Sequence, residues 1–462
     1  AVVGLLYRSF KISRTMYTSN DSQKIPSATD DAASSSGNSS GDNHASIEYT
    51  EEDPSEFPDG GWRAWSVVLG SWCALLPSFG LMNITGILEE WLADHQLQNY
   101  SKASISWIFS LWLFLFYLGG IQAGPIFDSH GVKYTLLPGC IGFTTSMMIL
   151  SVAQAYYQFI LGFSVLGGLS ASAILPPAFG TINHWFYKRR GLATGVCSTC
   201  GGIGGIIFTY IFGTLRDRIG FPWAVRVLGF LFLGCFIVSM FLTRTRLPSN
   251  NSKSSMIDLR SLREPVFTMT SLAVTAAEVG LMVVITYLPS YASSHGLTGP
   301  LSYELMSIFS AASIPGRVIP GMLADRWGRF NVMIATGSVC TVLIFALWLA
   351  ANESKAAIIS FTALFGFWAG PAISLSPVCV AQISRTEDYG KRYGTTNTIM
   401  GFCLLVTIPV AGEILKAQNP STHQETVYWG LMVFCGLSYA CSTLFLILAK
   451  GASVGWSVTR IF

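Results

Sequence analysis

From residue 58 onward the chain is a succession of long apolar runs separated by short polar breaks. Windows of about 20 apolar residues, the length an α-helix needs to cross hydrocarbon, fall near 63–88, 104–127, 134–153, 157–182, 191–213, 222–243, 266–292, 303–324, 331–350, 356–380, 394–416 and 427–449. The pattern predicts twelve membrane-crossing helices. Pro176 and Pro177 interrupt the fourth, and Pro315 and Pro320 the eighth; proline survives in such a helix where neighbours or cavity water satisfy the backbone groups it frees. Residues 1–57 differ in kind. The run ASSSGNSSG (33–41) and the acidic stretch EYTEEDPSE (48–56) leave little to bury, which predicts a disordered tail. LLYRSF near the start is too short an apolar run for a signal peptide.

Composition supports a membrane environment. The chain is 51% hydrophobic and 11% charged, with a mean hydropathy of +0.49, where soluble domains carry about 25% charged residues. Its 28 basic and 25 acidic side chains could not cover a soluble protein of 462 residues. The net charge of +3 is too small to argue for nucleic acid. The ten cysteines fall inside apolar stretches, so a disulfide framework is not expected. Cys197 and Cys200 form a C-x-x-C without a second ligand pair and read as packing residues.

Placement of the basic residues sets orientation. With the tail inside, the inner loops hold fifteen Lys and Arg, among them Lys188, Arg189 and Arg190, against five in the outer loops, so both termini are expected in the cytoplasm. Asn99, in N-Y-S, then falls in an outer loop as a candidate glycosylation site. The chain also repeats itself. GPIFDSHGVK (124–133) and GMLADRWGRF (321–330) share G-x-x-x-D-x-x-G and follow the second and eighth spans; KRRG (188–191) and KRYG (391–394) follow the fourth and tenth. This predicts a duplicated six-helix unit: a cytoplasmic tail over 1–57, a first bundle over 58–243, a linker over 244–264, a second bundle over 265–450 and a cytoplasmic tail over 451–462.

Twelve spans in two halves with these motifs resemble the major facilitator superfamily: an all-α integral membrane fold of two pseudo-symmetric six-helix bundles. The stretch PDGGWRAW (58–65) is similar to the entry to the first helix of the monocarboxylate porter family, WFYKRRGLATG (185–195) resembles that family's connection between spans 4 and 5, and GFPWAVRVLGF (220–230) is similar to its fungal members. In animal lactate carriers a lysine in span 1 and an Asp/Arg pair in span 8 bind carboxylate and proton. Here the resemblance puts Asn83 at the lysine, Ser313 at the aspartate and Arg317 at the arginine, so lactate transport is not inherited. Fungal relatives are thought to carry vitamins such as riboflavin, organic acids and secondary metabolites. The end of span 5 lacks the Gly-Pro-x-x-Gly-Gly sequence of drug/proton antiporters.

Charged residues inside the spans are candidates for function. Arg317 precedes Asp325 by eight positions, roughly 12 Å along a helix at 1.5 Å per residue, deep enough to hold an anionic group in a cavity; snorkelling toward the cytoplasm is the competing reading. Glu278 in span 7 is a candidate partner for Arg317 or a proton relay, against a plain contact between helices. Asn83 and Trp368 complete the substrate-binding set. Arg226 reads as an outer gate or, more simply, a tie between helices. The gating set is Gly124, Asp128, Gly321, Asp325, Arg326 and Arg329: each aspartate can accept hydrogen bonds from the next helix's N-terminus and pair with Arg326 or Arg329, and each glycine allows close approach. Ser129 stands where the first copy of the motif usually has arginine, which predicts a weaker latch there. His130 and His184 are expected in loop contacts at the inner surface. Asp59 is expected at the N-terminus of the first helix, with Trp62, Arg63 and Trp65 holding that helix at the interface.

The reading is a secondary active transporter, not an enzyme, expected to move a small, carboxylate-bearing organic solute by alternating access in the plasma membrane as a monomer. Protons are a candidate co-substrate, and no cofactor or metal is expected. Alternatives are an exporter of a fungal metabolite, a vitamin importer and a transport-inactive sensor.

Overall fold

The computed structural model describes residues 57–246, 261–295, 300–350, 354–418 and 428–454. The expected N-terminal tail, the middle of the linker and the last eight residues lie outside this range. The described residues are helical, without strands, and form α1 (Gly61–Asp94), α2 (Lys102–Leu118 continued by Gly120–His130), α3 (Val132–Val152), α4 (Tyr156–Trp185), α5 (Arg190–Ile219) and α6 (Phe221–Leu242). The second half supplies α7 (Pro265–Ser294), α8 (Pro300–Trp327), α9 (Arg329–Trp348), α10 (Lys355–Gln382), α11 (Tyr389–Gln418) and α12 (Trp429–Val454). Eleven of these are long and apolar enough to cross a membrane. The exception is α8, with 28 residues: Ser307, Ser310, Ser313, Pro315, Arg317 and Pro320 dilute its apolar character because it has polar work inside the protein.

The packing repeats. In the first half α1 packs on α5 and α6, α3 on α4 and α6, and α2 on α4; in the second, α7 packs on α11 and α12, α9 on α10 and α12, and α8 on α10. Two seams join the halves, α5 against α8 and α2 against α11. Both seams are built on glycine. A methyl group on Gly195 would sit 2.4 Å from the Arg317 carbonyl oxygen, and one on Gly394 2.2 Å from that of Gly120. A methyl on Gly202 would meet the Ser310 carbonyl at 2.9 Å, and one on Gly401 the Phe114 carbonyl at 3.3 Å. Only a residue without Cβ lets the backbones come this close.

These contacts set the register of the repeat. Gly120, Gly124 and Asp128 correspond to Arg317, Gly321 and Asp325, offset by 197, as the motif indicates. Gly191, Gly195 and Gly202 correspond to Gly390, Gly394 and Gly401, offset by 199. The match of KRRG to KRYG, offset by 203, is therefore one helical turn out: it aligned surface charges, whereas the G-x-x-x-G contact face fixes the equivalence.

The opening stretch also differs from expectation. α1 begins at Gly61, and its N-cap Gly60 offers no side chain. Asp59 instead accepts hydrogen bonds from the N–H groups of Tyr187 (2.8 Å) and Arg189 (3.2 Å), ahead of α5. Its backbone is left-handed, with φ 46°. Trp65 packs edge-on against Phe186, while Trp62 is 85% exposed. His184 lies within α4, buried against Phe127, not in a loop, whereas His130 is exposed and touches Ser129 and Tyr134. Cys197 and Cys200 are buried free thiols.

Candidate functional site

Where the seams reach the middle of the helices they enclose two opposite charges. Arg317 on α8 is buried, and its guanidinium donates through Nη1 to the Ser198 carbonyl on α5, across the seam. The cradle is glycine again, since a methyl on Gly201 would lie 2.6 Å from Nη1. The Nε–H group of Arg317 has no hydrogen-bond acceptor among the described residues. Glu278 on α7 is also buried and accepts a hydrogen bond at 3.1 Å from the Tyr117 hydroxyl on α2, in the opposite half. No ion pair joins the two charges among the described residues. Each reaches instead to the opposite half, so partnership of Glu278 with Arg317 by direct contact is corrected.

The remaining candidates lie around this centre without converging on it. Asn83 is exposed on α1; its amide donates to the Phe79 carbonyl at 2.7 Å and at 3.3 Å to the carbonyl of Gly201 on α5, the glycine that cradles Arg317. Ser313 donates to the Ser310 carbonyl within α8 at 2.8 Å. Trp368 is half-buried, edge-on to Phe367 at 5.2 Å. Arg226 donates to the Ser151 hydroxyl on α3 at 3.1 Å and lies over Trp223, as a tie between helices would. Asn99 is exposed between α1 and α2. The sequence did not single out Tyr117 or Asn397. Asn397 is fully buried at the α11 position equivalent to Ser198, facing Gly120 across the seam. The available signal was polar atoms in otherwise apolar spans, which need partners once buried.

At one end, two latches cross the seams. The Asp325 carboxylate accepts from the N–H groups of Gly191 and Leu192 at the start of α5, both at 2.8 Å. The Asp128 carboxylate accepts from Gly390 (3.0 Å) and Lys391 (2.8 Å) at the start of α11. A carboxylate there meets orphan N–H donors and the positive end of the helix dipole together. The helix each aspartate caps is therefore not the next one in sequence but one from the opposite half. The close approach depends on the preceding glycine: a methyl on Gly124 would fall 2.0 Å from the Gly390 carbonyl oxygen, and one on Gly321 2.5 Å from that of Gly191. Arg329 lies 3.9 Å from Asp325 and donates to the Tyr187 carbonyl, while Arg326 is exposed.

Two six-helix groups joined by paired, glycine-lined seams, with aspartate latches at one end and charges at the centre, are a recurrent plan. The sequence profile of the Major Facilitator Superfamily matches residues 69–408. The chain belongs to that superfamily. It is 32% identical to the riboflavin transporter MCH5 of Saccharomyces cerevisiae, covering 98% of this chain and 91% of that one. It is 33% identical to the aspyridones efflux protein apdF of Emericella nidulans, covering 82% and 78%. In fold it is similar to the human organic anion transporter MFSD10 (TETRAN), with a TM-score of 0.65 at 14% identity, over 84% of this chain and all of that one. It is also similar to the proton:xylose symporter XylE, with a TM-score of 0.64 at 15% identity, over 85% and 95%.

Proposed function

We propose that this member of the Major Facilitator Superfamily is a secondary transporter of a small organic solute that carries an anionic group, most simply a carboxylate. The observation that carries the reading is Arg317: a guanidinium buried at the seam between two halves, held by one carbonyl, with Nε–H still available to an oxyanion. A charge is retained at such depth where it has a partner to meet. Glu278, tied to the opposite half through Tyr117, is the group we assign to proton coupling. The bias of basic residues supports placing the latched end, with both termini, in the cytoplasm. The described conformation is then closed toward the cytoplasm, and transport requires both latches to break. Resemblance to the fungal monocarboxylate porters supports the same direction.

A second reading, carriage of a vitamin or export of a secondary metabolite, draws support from relatives whose names include a riboflavin transporter and an efflux protein. One comparison separates the two: intracellular and extracellular metabolites of cells with and without the protein, at two external pH values. An anionic solute whose distribution changes with both the protein and pH supports the first reading. Accumulation of an uncharged metabolite inside the cells lacking it supports export, and an unchanged profile at both pH values contradicts both.

A further inference from the structure

The superfamily motif accounts for Asp128 and Asp325 but not for what holds the peptide groups they grip. Asp59 occupies the left-handed region that aspartate, asparagine and glycine tolerate. Its N–H donates to the Trp185 carbonyl at 3.1 Å, and its Oδ1 accepts from Tyr187 and Arg189. The turn so held continues into Gly191 and Leu192, whose N–H groups Asp325 takes, and its Tyr187 carbonyl receives Arg329. Residues 185–192 are thus gripped by the first half at one end and by the second half at the other.

The second half repeats the arrangement with different chemistry. Glu264, the residue before α7, takes Nη2 of Arg392 at 2.9 and 3.0 Å, and Arg392 also donates to the Ile383 carbonyl at 2.8 Å. Arg392 stands on the first turn of α11, beside Gly390 and Lys391, whose N–H groups Asp128 takes. In both halves an acid one or two residues ahead of the first helix holds the start of the fifth, and the opposite half's aspartate caps that start. We propose that Asp59 and Glu264 are positioning residues for the two latches: each aims its own half's peptide N–H groups at the aspartate of the other half.

The proposal rests on reading these contacts as a gate, but its test needs no transported solute. Hydrogen exchange of backbone amides is measured at single-residue resolution on the full chain in lipid nanodiscs. Asp59→Gly keeps the left-handed backbone and removes only the carboxylate. It is expected to speed exchange at Gly191 and Leu192, which Asp59 does not itself touch, by roughly tenfold or more, with Gly390 and Lys391 unchanged. Asp59→Asn, which keeps an acceptor oxygen and the backbone preference, restores most of the protection. Glu264→Ala, which removes the acceptor of Arg392, loosens Gly390 and Lys391 and spares Gly191 and Leu192, and it carries the same test if Asp59→Gly does not fold. Exchange at 191–192 unchanged in Asp59→Gly, or both latches loosened equally by either variant, overturns the proposal. If the transport reading alone were wrong, the selective exchange pattern would stand without any solute being moved.

Discussion

Gly124→Ala is the sharpest perturbation of the latched state. The added methyl would stand 2.0 Å from the Gly390 carbonyl oxygen and 2.5 Å from its carbon. Both are backbone atoms on α11, so no side chain can swing aside. A carbon–oxygen contact relaxes at about 3.3 Å, so α2 and α11 must part by roughly 1 Å at this level. The Asp128 bonds, now 3.0 and 2.8 Å, then stretch beyond hydrogen-bond range. Overpacking costs about 1–3 kcal/mol, and the two charge-assisted bonds are worth at least about 1.5 kcal/mol each before water replaces them. A net loss of about 3 kcal/mol for the latched state is a population shift on the order of 100-fold. The assay is a distance distribution between dyes at Tyr134 and Trp327, both exposed at the latched end on opposite halves. The distance is expected to lengthen in Gly124→Ala and not in Gly213→Ala, where a methyl meets nothing within 4 Å. An unchanged distribution in Gly124→Ala, or an equal change in the control, would refute the steric reasoning.

Three further outcomes follow from the same geometry. Asp325→Asn, which weakens the cap on α5, should slow turnover severalfold with little change in apparent affinity, read from initial uptake rates; lost affinity at normal turnover speaks against a gating role. Gly201→Ala pushes a methyl to 2.6 Å from Arg317 Nη1, so apparent affinity should fall about tenfold or more while protein level and melting temperature hold; wild-type affinity would remove Arg317 from the binding site. Glu278→Gln keeps an acceptor for the Tyr117 hydroxyl and removes the titrating group, so the dependence of uptake on external pH should flatten; an unaltered pH profile excludes Glu278 as the proton carrier.

Much of this architecture is legible along the chain because burial in a membrane leaves a local signature. Each of the twelve apolar windows corresponds to a helix, including α8 despite its serines, prolines and Arg317. The repeated aspartates were equally visible, since G-x-x-x-D places both residues on one helical face. What the sequence withholds is the partner across a seam. Nothing near Asp59 points to residues 187–189, and nothing near Glu278 points to Tyr117, because these contacts join positions 128 and 161 residues apart. The KRRG and KRYG slip has the same origin. Charges at an exposed loop are free to drift by a turn, whereas Gly191 and Gly390 are fixed by backbone contact that only the folded seam reveals. Arg317 and Glu278 looked like natural partners by sign alone, yet each is occupied by a group from the opposite half.

The central claim is that Arg317 anchors an anionic group carried between the halves. Its most direct test is counterflow of the solute that the metabolite comparison identifies, measured in proteoliposomes for the wild type, Arg317→Lys and Arg317→Ala at limiting and saturating concentrations. The expected result is near-complete loss for Arg317→Ala at limiting solute and partial retention for Arg317→Lys, which keeps the charge without the planar fork. Full counterflow by Arg317→Ala at both concentrations would contradict the claim.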